Sequence, residues 1–195
     1  DWSRELGDYQ TDRTAFPNGL AELSGHVHSL GMKFGIWVEI ENAGDLSRLL
    51  RDHPEWFLKY NGVPIATGRR SQLDFSRPDV RAWAHGVLDG LVRENRLDWV
   101  KIDYNIDVGE RFDGGSGDVL ARHIRAYYGW LDELRAKHPQ LIIENCSSGG
   151  LRFDLGIMAH THTTWLSDEI LPKQSVQLGY GCTMEFLPEA CNHWM

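Results

Sequence analysis

Two carboxyl groups set at strand ends can share one reaction, one protonating a departing group and the other acting as nucleophile or base. Asp103 and Asp168 stand where such a pair would stand. Asp103 ends the run WVKID two residues after Lys101, and the period-2 alternation of a strand puts both side chains on one face. An ammonium beside a carboxylate favours the ionised form that a nucleophile requires. The same spacing also makes a plain Asp–Lys ion pair at the mouth of a sheet, and the residues leave both readings open. Asp168 follows Trp165-Leu166-Ser167. An aromatic neighbour covering it would desolvate the carboxyl and raise its pKa for acid duty. An N-cap for the next segment is the alternative.

The other chemistry-bearing residues suit plainer roles. His160 and His162 alternate along one run without a third ligand, which makes a poor metal site. Cys146 has no histidine placed by sequence to activate it as a nucleophile. Asp154 near Arg152 reads as a structural ion pair. Gly114, Gly115 and Gly117 read as a flexible connection before a helix rather than a phosphate cradle.

Strands and helices must position these groups, and the sequence alternates between the two. Helices are expected after Ser76-Arg77-Pro78-Asp79, with Val80, Trp83, Ala84, Val87, Leu88, Leu91 and Val92 on one face, and from about Asp118, with Leu120, Ile124, Tyr127, Tyr128, Leu131 and Leu134 inward. A third precedes a capping Gly31, with Leu20, Leu23, Val27 and Leu30 on one face. Between them run KFGIWVEI, SQLDFS, DWVKIDYN, QLIIENC and THTTWLSD, apolar on both faces as parallel strands under helices are. Such βα alternation gives a doubly wound sheet or a (β/α)8 barrel, and no GxGxxG or P-loop follows any strand. Polar or acidic residues close nearly every strand: Glu39 and Glu41, Asp74, Asp103 and Asn105, Glu144 and Asn145, Asp168 and Glu169. That pattern favours the barrel, whose chemistry sits at strand C-termini. Five strands at about 31 residues per βα unit make an incomplete (β/α)8 barrel filling residues 1–195 as one domain.

Composition narrows the partners. A net charge of −8 argues against nucleic acid, because phosphate neutralisation needs clustered Lys and Arg. No apolar run is long enough to cross a bilayer, and no leader pattern is present. Cys146, Cys182 and Cys191 are odd in number and lack CxxC spacing, so neither a disulfide framework nor a zinc site is read from them. Eight tryptophans are many for this length; most suit packing, while a flat indole can also lie against a pyranose ring. The compartment stays open.

The segments LGDYQTDRTAFPNGL, GMKFGIWVE, HPEWFL, LDFSRPDVR, WVKIDYN, ENCSSGGLRFDLG and WLSDE, in that order, resemble blocks of glycoside hydrolase family 36, the melibiase or α-galactosidase family. The resemblance implies a retaining hydrolase of terminal α-galactosides, with Asp103 as nucleophile and Asp168 as acid/base. It implies that Lys101 and Asn105 hold galactose hydroxyls, that Trp37 lies in the galactose pocket, and that Cys146 and Gly149 line it. Arg69 matches a substrate-contacting arginine, with Arg70 as the alternative one residue away. No metal or organic cofactor is implied, and a homo-oligomer of the full-length enzyme is compatible with it. The family's paired first-strand aspartates would fall before Asp1. The sequence departs from the family at Ile102, where a tryptophan is usual, at Ile40, where a proline is usual, and at Ser148 or Leu151, where a third glycine is common. An α-N-acetylgalactosaminidase, a transglycosylating synthase of the same family and a non-catalytic sugar-binding fragment are the rival readings.

Overall fold

The structure is a computed structural model that describes residues 2–106, 112–114 and 116–194. Gly115 of the glycine-rich connection therefore lies outside the described residues. In chain order the strands are β1 (Gly35–Val38), β2 (Asn42–Gly44), β3 (Lys59–Tyr60), β4 (Val63–Pro64), β5 (Ala66–Thr67), β6 (Arg70–Gln72), β7 (Trp99–Ile102), β8 (Ile142–Asn145), β9 (Thr163–Trp165) and β10 (Cys191–Asn192). The helices are α1 (Leu20–Ser29), α2 (Arg48–Asp52), α3 (Pro78–Asn95), α4 (Ser116–Lys137), α5 (Leu155–His160) and α6 (Pro172–Thr183).

A five-stranded sheet runs β1-β7-β8-β9-β10, and each neighbouring pair is parallel. Its order in space is its order in sequence. Right-handed crossovers between successive neighbours carry every connection to the same face, which is the winding of a barrel and not of a doubly wound sheet.

The expected strand SQLDFS is not in this sheet. Its first residues form β6, which pairs antiparallel with β2 and β5 in a separate three-stranded sheet. Leu73 and Phe75 are fully buried, so the apolar run reported burial correctly but not the pairing partner. The fifth parallel strand is instead β10, two residues long. The connection before α4 has a structural explanation: the Asp113 carboxylate accepts the Asn61 and Gly62 amides at 2.8 and 2.7 Å, holding the β3–β4 turn.

α3 starts with Pro78 in its first turn and buries Val80, Ala84, Leu88 and Val92, the i, i+4 stripe of its sequence. α4 buries Val119, His123, Tyr127, Trp130, Leu131 and Leu134, while Ile124 is exposed and Leu120 only half-buried. The inward face is rotated from the expected one because His123 points into the molecule to meet Glu41. α1 buries only Ser24, and Leu23 and Leu30 are exposed. Its end is as expected: Gly31, at φ +74°, donates to the His28 carbonyl at 2.9 Å and Met32 to that of Val27 at 3.3 Å.

One core joins the sheet to α3 and α4 through Val38, Val100, Ile102, Ile143, Leu88, Trp130 and Leu134. Beneath the strand ends, Arg152 donates to Glu41 Oε1 at 2.6 Å and His123 Nε2 meets Glu41 Oε2 at 3.0 Å. His123 Nδ1 accepts the Phe75 amide, so the ring proton sits on Nε2 and faces the carboxylate. Burial works to raise the Glu41 pKa, but Arg152 and His123 outweigh it and hold the carboxyl below its ordinary value. Arg152 is thus not the partner of Asp154, whose carboxylate caps α5 through the Gly156 and Ile157 amides.

Candidate active site

Parallel pairing brings the C-terminal ends of β1, β7, β8 and β9 to one rim. The ladder continues past the strands, with the Asp103 amide donating to the Val38 carbonyl at 2.8 Å and the Cys146 amide to that of Ile102 at 3.0 Å. Alternation along β7 sends Val100 and Ile102 into the apolar core and Lys101 and Asp103 to the other face.

Asp103 is 7% exposed. Its Oδ2 accepts the Trp37 indole N–H at 3.0 Å and the Asn105 amide at 2.7 Å, and its Oδ1 accepts the Tyr104 backbone N–H at 2.9 Å. Burial alone would push its pKa up; hydrogen bonds from Trp37, Asn105, the Cys146 thiol and the Tyr104 amide hold it below the ordinary carboxylate value. The expected cause was Lys101. That residue instead pairs with Glu144 at 3.8 Å and lies over the Trp165 ring at 3.8 Å. Neutral donors, not the neighbouring ammonium, keep Asp103 charged.

Cys146 is buried, and its thiol is pushed up to about 12 by burial and by the Asp103 charge. It is a proton donor to the carboxylate and no nucleophile. Asn105 reaches further: its amide also donates to Glu39, which Arg70 meets as well at 3.0 Å. Burial raises the Glu39 pKa and Asp103 adds to the shift, against the side chains of Asn42, Asn105 and Arg70. Of the two candidate arginines, Arg70 belongs to this cluster, also bonding the Asn105 carbonyl at 3.1 Å. Arg69 is exposed on the side of Asp45, whose amide its carbonyl accepts at 2.9 Å.

Asp168 lies beyond β9, exposed, and accepts the Trp165 indole N–H at 3.0 Å. The aromatic neighbour is therefore a hydrogen-bond donor and not the apolar cover expected of it. Nor does Asp168 cap a helix, since α6 begins after Leu171. Gly149, at φ +83°, packs on this segment so closely that a Cβ would come within 2.9 Å of Ser167 Cα and 3.0 Å of the Asp168 nitrogen. Backbone approach explains the glycine without reference to any ligand.

A sequence profile described as Melibiase matches residues 1–193. The chain belongs to the melibiase family. It is 38% identical over 190 residues to Alpha-galactosidase 2 of Pediococcus pentosaceus, covering 94% of this chain and 26% of that protein. It is 36% identical to the Alpha-galactosidase of Escherichia coli, covering 94% and 26%. Among solved structures, a variant of the GH36 α-galactosidase AgaA from Geobacillus stearothermophilus in complex with stachyose superposes with a TM-score of 0.89 at 30% identity, covering 99% of this chain and 28% of that one. The chain spans about a quarter of the length of these relatives.

Two departures from the family pattern, Ile40 and Ile102, turn their side chains into the apolar core. The histidines of AHTH are likewise accounted for. His160 meets Asp132 at 2.8 Å, and His162 Nδ1 accepts the Ile143 amide at 3.0 Å. Among the described residues no group of three or more His, Cys, Asp or Glu side chains could hold a metal ion. Sequence reasoning missed the Glu39–Asn105–Asp103 linkage and the part of Tyr9, whose hydroxyl donates to the Glu39 carbonyl at 2.5 Å. Tyr9 comes from a segment far upstream in sequence, and only its membership in a family block pointed to it.

Proposed function

We propose that the protein carrying this chain is a retaining α-galactosidase that releases terminal α-linked galactose from galactosides and galacto-oligosaccharides, with residues 1–195 forming part of its catalytic barrel. Asp103 attacks the anomeric carbon while Asp168 protonates the departing oxygen; Asp168 then deprotonates the water that releases the sugar from its ester with Asp103. The observation that carries the reading is the Asp103 carboxylate at the end of a parallel strand, held ionised by converging donors, in a chain of the melibiase family. The complex of a 30%-identical relative with stachyose supports an α-galactoside as substrate. Trp37, bonded to Asp103 and 38% exposed, supplies a flat face at this rim for a sugar ring.

The test is substitution of the nucleophile in the full-length protein. Asp103→Ala is expected to abolish turnover of an aryl α-galactoside, and added azide to restore some of it, with β-galactosyl azide as product. Near-normal activity in that variant would remove Asp103 from the role.

A further inference from the structure

Ser148 lies in the turn that follows β8, and its backbone is unusual. It stands at φ +44° although it is not glycine, and Gly149 follows at φ +83°. A side chain held in the left-handed region is a strained feature that gathers where a site uses it. Its bonds show the use. The Ser148 backbone N–H donates to Asn105 Oδ1 at 2.9 Å, and its hydroxyl donates to the same oxygen at 2.7 Å. One residue earlier, the Ser147 hydroxyl donates to the Tyr104 carbonyl at 2.8 Å, so the turn is docked twice on the strand end that bears Asp103.

The Asn105 amide is thereby fully engaged. Its oxygen accepts twice from Ser148, and its nitrogen donates to Asp103 Oδ2 at 2.7 Å and to Glu39 Oε1. A carboxamide has two donors and two acceptor sites, and all four are used. Turning it over would set its oxygen against two carboxyl groups and its NH2 against two donors. We infer that Ser148 is a positioning residue for the nucleophile: by holding the Asn105 carbonyl it keeps the amide's two protons aimed at Asp103 and Glu39. The inference rests on the α-galactosidase reading above. The titratable and charged groups around this carboxylate are Glu39 beyond β1, Arg70 of β6 through Glu39, Lys101 of β7, Glu144 of β8 and Cys146 beyond it. Asp107, Glu110 and Arg111 lie outside the described residues.

The experiment compares wild-type, Ser148→Ala and Ser148→Gly forms of the full-length protein, reading kcat/KM for an aryl α-galactoside across pH. Glycine removes the hydroxyl while relieving the backbone, so a residue that only shapes the turn would leave Ser148→Gly unchanged or better. Both variants are instead expected to lose about tenfold in kcat/KM, with the acid limb moved up by about half a pH unit as the bond from Asn105 slackens. In an Asn105→Ala background, Ser148→Gly is expected to add nothing, because both act through one hydrogen bond. A Ser148→Gly profile superimposed on wild type, or full additivity with Asn105→Ala, overturns the inference alone. A wild-type protein that leaves the substrate intact overturns the α-galactosidase reading itself, and that result is seen before any substitution.

Discussion

Four donors from three stretches of sequence converge on the Asp103 carboxylate: the Trp37 indole, the Cys146 thiol, and the amides of Asn105 and Tyr104. Each is neutral, so each stabilises the charged form without neutralising it, which suits the role of attacking anion proposed for Asp103. The sequence made the carboxylate itself legible, through its place at a strand end and its family block. It did not make the donors legible, since Trp37 and Cys146 reach Asp103 only once β1, β7 and β8 are side by side. Lys101 shows the opposite error. Period-2 alternation put it on the right face, but Glu144 and Trp165, brought in by β8 and β9, claim its ammonium. Removing one donor tests the arrangement. Trp37→Phe keeps the aromatic bulk and drops the N–H, so the Asp103 pKa rises and a higher pH is needed to ionise it. The acid limb of kcat/KM is expected to move up by about half a unit, with a roughly threefold loss on its acid side. An unmoved acid limb would show that the indole plays no part in charging the nucleophile.

Helices were easier to read than strand pairing. The stripes of α3 and α4 are encoded locally by i, i+4 spacing, whereas SQLDFS carries only its burial and not its partner, and β10 is too short to carry a pattern at all. How the elements are tied at the opposite end of the strands is equally invisible in the sequence. Asp98, just before β7, accepts from His28 of α1 at 2.7 Å, from Lys33 at 3.0 Å and from the Phe34 amide at 2.9 Å, fastening α1 and the start of β1 to the sheet. Burial works to raise its pKa, but the Phe34 amide, His28 and Lys33 bring it from 3.8 down to about 2. A depressed folded-state pKa contributes stability above the unfolded value of 3.8 and loses it as pH falls toward 2. In the full-length protein Asp98→Asn is therefore expected to cost about 1 kcal/mol at pH 7, discounted for partial exposure, and to lower the melting temperature. The melting curves of wild type and variant should draw together near pH 2. A difference that persists there would assign the effect to packing instead of charge.

The winding order of the parallel sheet agrees with a barrel, and the five strands present leave it with two edges. Among the described residues β1 pairs only with β7, and β10 only with β9. α6 buries none of its residues, and Val176 and Tyr180 are 71% and 70% exposed. Open strand edges fray and offer templates for pairing with other chains, and an uncovered apolar helix adds to that tendency. Catalysis asks more of the sheet than survival does, because two carboxylates act together only while rigid elements hold them in register. Asp103 is well supported, by β1, β7 and β8. Asp168 depends on β9, whose outer neighbour is the two-residue β10. Fraying at that edge would release Asp168, the proposed acid/base, while leaving Asp103 in place. Residues 1–195 expressed alone are therefore expected to melt broadly, to bind a hydrophobic dye, and to show no measurable hydrolysis of an aryl α-galactoside beside a full-length relative such as the Escherichia coli α-galactosidase. Amide hydrogen exchange should show fast exchange in β9 and β10 and slower exchange in β7 and β8, because the central strands are paired on both sides. A sharp cooperative melt together with turnover matching the full-length relative would show that five strands suffice to hold both carboxylates, and that the edge argument is wrong.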